Sequence, residues 1–210
     1  MNNMLTKIKK YYRPYFQYRN WIKYSIYTSI ILLLVLFDIL TKIGVYHLYI
    51  DKFGSIPDDV VRINSNLYSF FGMINIRLSF NTGAAFSFLS NDSFGRFFLP
   101  LLSLVMFIVL FYFYTVYFDR IPEFGLLAFV LILAGCFGNL VDRFGRLANN
   151  PYYYRGVIDF IDVSHVFRFN AIFNIADVCV VASFVTIILG LIYIGINTML
   201  IKKHETAQYD

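Results

Sequence analysis

Five aspartates, Asp38, Asp142, Asp159, Asp162 and Asp177, lie at or between the ends of long apolar runs. Two carboxylates held close share one proton, because both cannot readily ionise together. The ionised member can then take a proton from water, and the protonated one can donate to a carbonyl and later to a leaving amine. A plainer reading makes each of these aspartates an interfacial helix cap that faces water. Several together, flanked by Asn and Arg, argue instead for a reactive site or an ion pathway, since ionisable groups at membrane depth are costly. Other routes to an activated nucleophile are poorly supplied. Cys136 and Cys179 each sit inside an apolar run, with no CxxC spacing. His47, His165 and His204 are scattered and form no ligand cluster, so neither a metal nor another cofactor is implied.

The elements that must position these carboxylates are membrane spans. The chain is 59% hydrophobic and only 15% charged, too little charge for a soluble domain of this length. The apolar residues fall in four blocks: 24–37, 97–118, 124–141 and 178–201. Crossing the hydrocarbon core takes about 20 residues. The second and fourth blocks meet that directly. The first and third must extend past Asp38 and Asp142, which places both carboxylates at or just inside the membrane boundary. Pro100 falls near the start of the second block, where a helix tolerates it. The first block begins behind a long basic and aromatic segment, and no small-residue cleavage site follows it, so it reads as a span and not as a cleavable leader.

Basic residues set the orientation. Lys7, Lys9, Lys10, Arg13, Arg19 and Lys23 precede the first span, Arg120 lies between spans two and three, and Lys202 and Lys203 follow span four. The positive-inside rule puts all three segments in the cytoplasm. Arg143, Arg146, Arg155 and Arg168 run against it, but the N-terminal cluster dominates. With the N-terminus inside, the aspartates collect at the outer leaflet. The expected architecture is a mainly α membrane protein of four transmembrane helices, both termini cytoplasmic, with a small extracytoplasmic β-sheet on the outer membrane surface. Residues 1–23 form a cytoplasmic extension, 24–201 one membrane domain with outer loops at about 46–96 and 143–176, and 202–210 a tail. The sheet is expected from Ile74, Ile76, Leu78 and Phe80 alternating with Asn75, Arg77 and Ser79, a strand with one apolar face. Asn81-Thr82-Gly83 and Asn149-Asn150-Pro151 read as turns.

Four local patterns follow in order on this frame: Asp38-Ile39-Leu40-Thr41-Lys42; Asn81-Thr82-Gly83-Ala84-Ala85-Phe86-Ser87; Gly138-Asn139-Leu140-Val141-Asp142-Arg143 with Val157-Ile158-Asp159-Phe160; and Phe173-Asn174-Ile175-Ala176-Asp177. Together, over about residues 24–200, they resemble the lipoprotein signal peptidases (type II signal peptidases). The resemblance implies a multi-pass aspartyl endopeptidase of the bacterial inner membrane, with its active site on the extracytoplasmic side. Such an enzyme removes the signal peptide of prolipoproteins just before a diacylglyceryl-modified cysteine. It maps the catalytic pair to Asp159 and Asp177. It gives Asp38, Lys42, Asn81, Gly83, Asn139, Asp142, Arg143, Asn174 and Ala176 supporting or substrate-binding places. It also implies membrane lipids and cyclic peptide antibiotics of the globomycin type as partners.

The residues themselves leave choices open. Asn174 and Asp177, and Asn139 and Asp142, share helix faces at a spacing of three. Lys42, four residues after Asp38, would neutralise it within one turn. Arg143 would either fork onto a carboxylate or a carbonyl, or snorkel to the interface. Asn81 would bind substrate backbone or simply make a turn. The segments 144–155 and 47–68 and residues 1–23 are longer than the family pattern leads one to expect. A cation-coupled transporter is the main rival, and a non-enzymatic scaffold the next; ion flux in reconstituted protein would single out the transporter. The basic N-terminal segment, interleaved with Tyr11, Tyr12, Tyr15, Phe16, Tyr18 and Trp21, points to anionic lipid and not to nucleic acid.

Overall fold

The computed structural model describes residues 20–56, 66–81, 93–148, 156–167 and 171–207. The basic segment before Asn20, Gly83 and its neighbours, and the Asn149-Asn150-Pro151 turn lie outside the described residues. Four long helices carry the chain: α1 (Trp21–Phe53), α2 (Ser93–Tyr117), α3 (Glu123–Leu147) and α5 (Ile175–Ala207). Each is long and apolar enough to cross a membrane. Pro100 falls inside α2, two turns beyond its start at Ser93 and not in the first turn. A 3-10 turn (Phe118–Arg120) links α2 to α3, and a one-turn helix, α4 (Ser164–Phe167), and four strands complete the described elements: β1 (Tyr68–Phe70), β2 (Ile74–Asn81), β3 (Val157–Asp162) and β4 (Ile172–Phe173). The strands form one antiparallel sheet in the order β1-β2-β3-β4.

The buried stripe of α1 is Ile31, Val35, Asp38, Lys42, Val45 and Tyr49. Steps of three and four residues keep these six on one face of the helix. The apolar members at the two ends belong to separate clusters. Ile31 and Val35 join Tyr114, Phe118, Leu126, Val130, Leu133 and Ala134 among α1, α2 and α3. Val45 and Tyr49 join Leu67, Leu78, Phe80, Ile158 and Phe160 under the sheet. Asp38 and Lys42 therefore lie in a polar layer between two apolar ones, with α1 continuing for four turns beyond Asp38.

Strand β2 departs from the expected single apolar face. Leu78 and Phe80 are buried, but so are the polar Asn75 and Ser79. The reason is tertiary: β2 is an inner strand, with β1 on one edge and β3 on the other, and it also packs on α1. A register shift between Ile76 and Ser79 re-aims the strand before its last pairs, Ser79 with Asp159 and Asn81 with Val157.

Helix α3 packs most extensively on α5. A Cβ at Gly135 would come within 2.4 Å of the Ala176 carbonyl oxygen and 2.6 Å of a Val180 methyl. Small residues let membrane helices approach backbone to backbone. Gly135→Ala is expected to cost about 1–3 kcal/mol and to lower the Tm in detergent. Gly44→Ala, where a Cβ would meet nothing within 4 Å, should be neutral or stabilising. Equal Tm values for the two variants would contradict the close approach.

Candidate active site

The site begins with the cap of α5. Asn174 is the N-cap: its side-chain oxygen accepts from the Asp177 N–H at 2.9 Å, and its carbonyl accepts from the Val178 N–H. Asp177 reaches back to accept from the Asn174 N–H at 3.3 Å. This is a reciprocal capping box, which satisfies donors that the first helical turn would otherwise leave unpaired. The Ala176 N–H, another such donor, is taken by Asp38 Oδ1 at 2.8 Å. One capping motif thus fixes the rotamer of Asp177 and staples α5 to α1.

The other functional group of Asn174 points the opposite way. Its Nδ2 lies 2.7 Å from Asp159 Oδ1, 3.1 Å from Asn139 Oδ1 and 3.3 Å from the Ile158 carbonyl oxygen, so its two protons are shared among three acceptors. Asn139 in turn donates from Nδ2 to Asp177 Oδ1 at 2.8 Å. Asp159 and Asp177 are therefore linked through two amides, one on α3 and one at the head of α5. Asn81 adds a hydrogen bond to Asp159. The register explains how: Ser79 faces Asp159 and Asn81 faces Val157, so Asn81 is a diagonal neighbour on the same face of the sheet. Burial, and then the charge of Asp177, push the Asp159 carboxyl up to about 8; the hydrogen bonds from Asn81 and Asn174 oppose this and lose.

Below the two aspartates lies the charged layer. Lys42 Nζ is fully buried and has three partners: Asp38 Oδ2 at 2.6 Å, Asp142 Oδ2 at 2.8 Å and Asn139 Oδ1 at 3.2 Å. An ammonium has three protons, so its donors are all used. Asp142 Oδ2 also accepts from the Ile158 N–H at 3.4 Å, which fixes β3 on α3 beside Asp159. Arg143 donates to the Asn139 carbonyl at 3.3 Å and stands within electrostatic reach of Asp142, Asp159 and Asp177. Among the described residues no group of three or more His, Cys, Asp or Glu side chains is arranged to hold a metal ion. Lys42 Nζ occupies the place between Asp38 and Asp142.

Asp38, Lys42, Asn81, Asn139, Asp142, Arg143, Asp159, Asn174, Ala176 and Asp177 are thus brought into one network. Gly83 lies outside the described residues. Lys42 neutralises Asp38 one turn away, as its spacing suggests, and also crosses to Asp142, which spacing could not show. Ala176 contributes its backbone N–H and not its side chain. Sequence reasoning missed Gly135 and the Ile158 N–H. The pair Gly135 and Gly138 in one span was the available signal for the first; nothing local marks the second.

Comparison with known proteins shows the family to which this frame belongs. The family model for signal peptidase (SPase) II matches residues 30–193. A lipoprotein signal peptidase of Bartonella henselae is 38% identical over 67% of this chain and 75% of its own length. One from Clostridioides difficile is 33% identical over 74% of this chain and 87% of its own. A bacterial membrane enzyme solved by the in meso method at 1.9 Å resolution superposes with a TM-score of 0.58, at 27% identity over 80% of this chain and 92% of that one. The match to the family model runs from within α1, through every residue of the network, to within α5, and so the chain, a multi-pass membrane protein, belongs to the signal peptidase II family.

Proposed function

We propose that this chain removes signal peptides from bacterial prolipoproteins, hydrolysing the amide that precedes a diacylglyceryl-modified cysteine, with Asp159 and Asp177 as the catalytic pair. The observation that carries the reading is the bridge of Asn174 and Asn139 between these two carboxylates. Each carboxylate oxygen has more than one lone pair, and those the amides do not engage would hold one water and one scissile carbonyl. The ionised member takes a proton from the water as its oxygen attacks the carbonyl carbon. The protonated member donates to the carbonyl oxygen and then protonates the leaving amine. The pair titrates as a unit. Arg143 balances its charge, and Asn81, at the end of β2, orients substrate backbone beside Asp159. The basic segments before α1 and between α2 and α3 support a site at the outer face of the inner membrane, where the lipidated cysteine of the substrate would lie. Cyclic peptide antibiotics of the globomycin type would compete for the same cleft, and residues 1–23 would rest on anionic lipid.

The test is a gel-shift assay with purified, detergent-solubilised protein. The chain should cut a diacylglyceryl-modified prolipoprotein and leave the unmodified precursor intact. If both remain uncut, in lipid as well as in detergent, the reading is wrong. A pH series adds a second check. Burial and the Asp177 charge raise Asp159 from the ordinary carboxylate range to about 8, so the pair holds its shared proton through neutral pH and loses it above about 8. The logarithm of kcat/KM should therefore bend downward near pH 8. Stability follows the same sign. Between about 4 and 8 the folded state binds a proton that the unfolded state has released, so stability falls as pH rises through that window. An alkaline limb absent up to pH 10 would contradict the shared proton.

A further inference from the structure

The hairpin that joins β1 to β2 plays no part in the site. Its chain, Tyr68-Ser69-Phe70-Phe71-Gly72-Met73-Ile74, contains no charged residue. Tyr68, Phe70, Met73 and Ile74 are exposed, and Phe71 is 95% exposed. Phe71 and Gly72 take successive positive φ values of 52° and 68°, and the Met73 N–H closes on the Phe70 carbonyl at 3.0 Å. Two successive left-handed residues are the φ signature of a type I′ turn, whose first position strongly prefers Asn, Asp or Gly. A phenylalanine there is strained in its backbone and, in water, exposed in its side chain. Both penalties fall on one residue, and both are offset if the ring leaves water.

The hairpin is also fixed at membrane level. Lys52, in the last turn of α1, donates to the carbonyls of Asn66 and Leu67. Its ammonium lies 5.4 Å from the Phe53 ring centroid and 5.9 Å from that of Tyr68. A lysine among aromatic rings at the end of a spanning helix is an interfacial anchor. The exposed apolar surface of α1, through Leu40, Leu48 and Phe53, thus continues into Tyr68 and the hairpin.

We infer that the β1–β2 hairpin is a membrane wedge: Phe70, Phe71 and Met73 insert into the acyl-chain boundary of the outer leaflet and hold the sheet, with Asn81 at its far end, at a set height over the bilayer. The occupant of this surface is bilayer lipid. The inference needs only a membrane-spanning chain, so its test is independent of peptidase activity. The chain has one tryptophan, Trp21, so full-length Trp21→Phe/Phe71→Trp carries a single reporter at the tip. It would be reconstituted in phosphatidylglycerol–phosphatidylcholine vesicles with or without acyl-chain bromine. The expected result is emission blue-shifted from that of the denatured protein, strong quenching by brominated lipid and weak quenching by aqueous iodide. A second reporter, Trp21→Phe/Phe70→Trp, should behave alike. Ready quenching by iodide with no effect of bromine would place the tip in water and overturn the inference. Protection from both quenchers would mean that protein covers the tip, and would overturn it equally.

Discussion

Asp159→Asn and Asp177→Asn should each lower kcat for signal-peptide removal by on the order of 10³- to 10⁴-fold, the range attached to positioned proton transfer. The double variant should be hardly worse than either single one, because residues that act as a unit are not additive. Folding should survive. An asparagine at 177 can keep its oxygen toward Asn139 Nδ2, the 2.8 Å contact, and lose only the weaker 3.3 Å contact with the Asn174 N–H. At 159 the oxygen can still accept from Asn174 Nδ2. The change removes one titratable proton and little packing. Cleavage and Tm should be measured on the same preparations. Cleavage that persists in either variant would remove that residue from the proposed pair, and a collapse of Tm would turn the loss into a folding effect.

Lys42→Met should be the most damaging single change outside the pair. Lys42 sits at 0% side-chain exposure between Asp38 and Asp142, themselves at 1% and 0%. Removing one partner of a buried ionic group leaves uncompensated charge and costs about 3–5 kcal/mol. Here two carboxylates would be stranded, and Asp142 Oδ1 already has no hydrogen-bond partner. Asp142→Asn should cost less, because Lys42 stays paired with Asp38 while one buried charge is removed. Thermal unfolding in detergent should rank the variants with Lys42→Met below Asp142→Asn. Combining Lys42→Met with Asp142→Asn should recover part of the loss, since such coupling marks direct contact. A strictly additive cycle would mean that the two side chains do not interact. Because Lys42 also touches Asn139, which holds Asp177, the Lys42→Met protein should lose cleavage along with stability.

The four spans and a strand over 74–80 were legible along the chain, though Asn81, expected to open a turn, is the last residue of β2. Each is a short-range property: a run of apolar residues or an alternation. Even the Asn174–Asp177 capping box is readable, because its partners lie within one helical turn. What the chain could not disclose is who meets whom across it. Lys42 reaches Asp142 and Asn139 only because α1 and α3 pack side by side. Asp38 serves α5 only because α1 and α5 also meet. Asn75 and Ser79 are buried, against their polar character, because β2 became an inner strand that also packs on α1. Asp159 comes under the influence of Asp177 through a loop, a sheet register and two bridging amides, none of which local periodicity encodes. Sequence determined which groups were available and at which ends of the apolar runs they lie; only tertiary packing decided that two carboxylates would share one environment and two others one lysine, because a buried charge takes its state from neighbours that are distant along the chain.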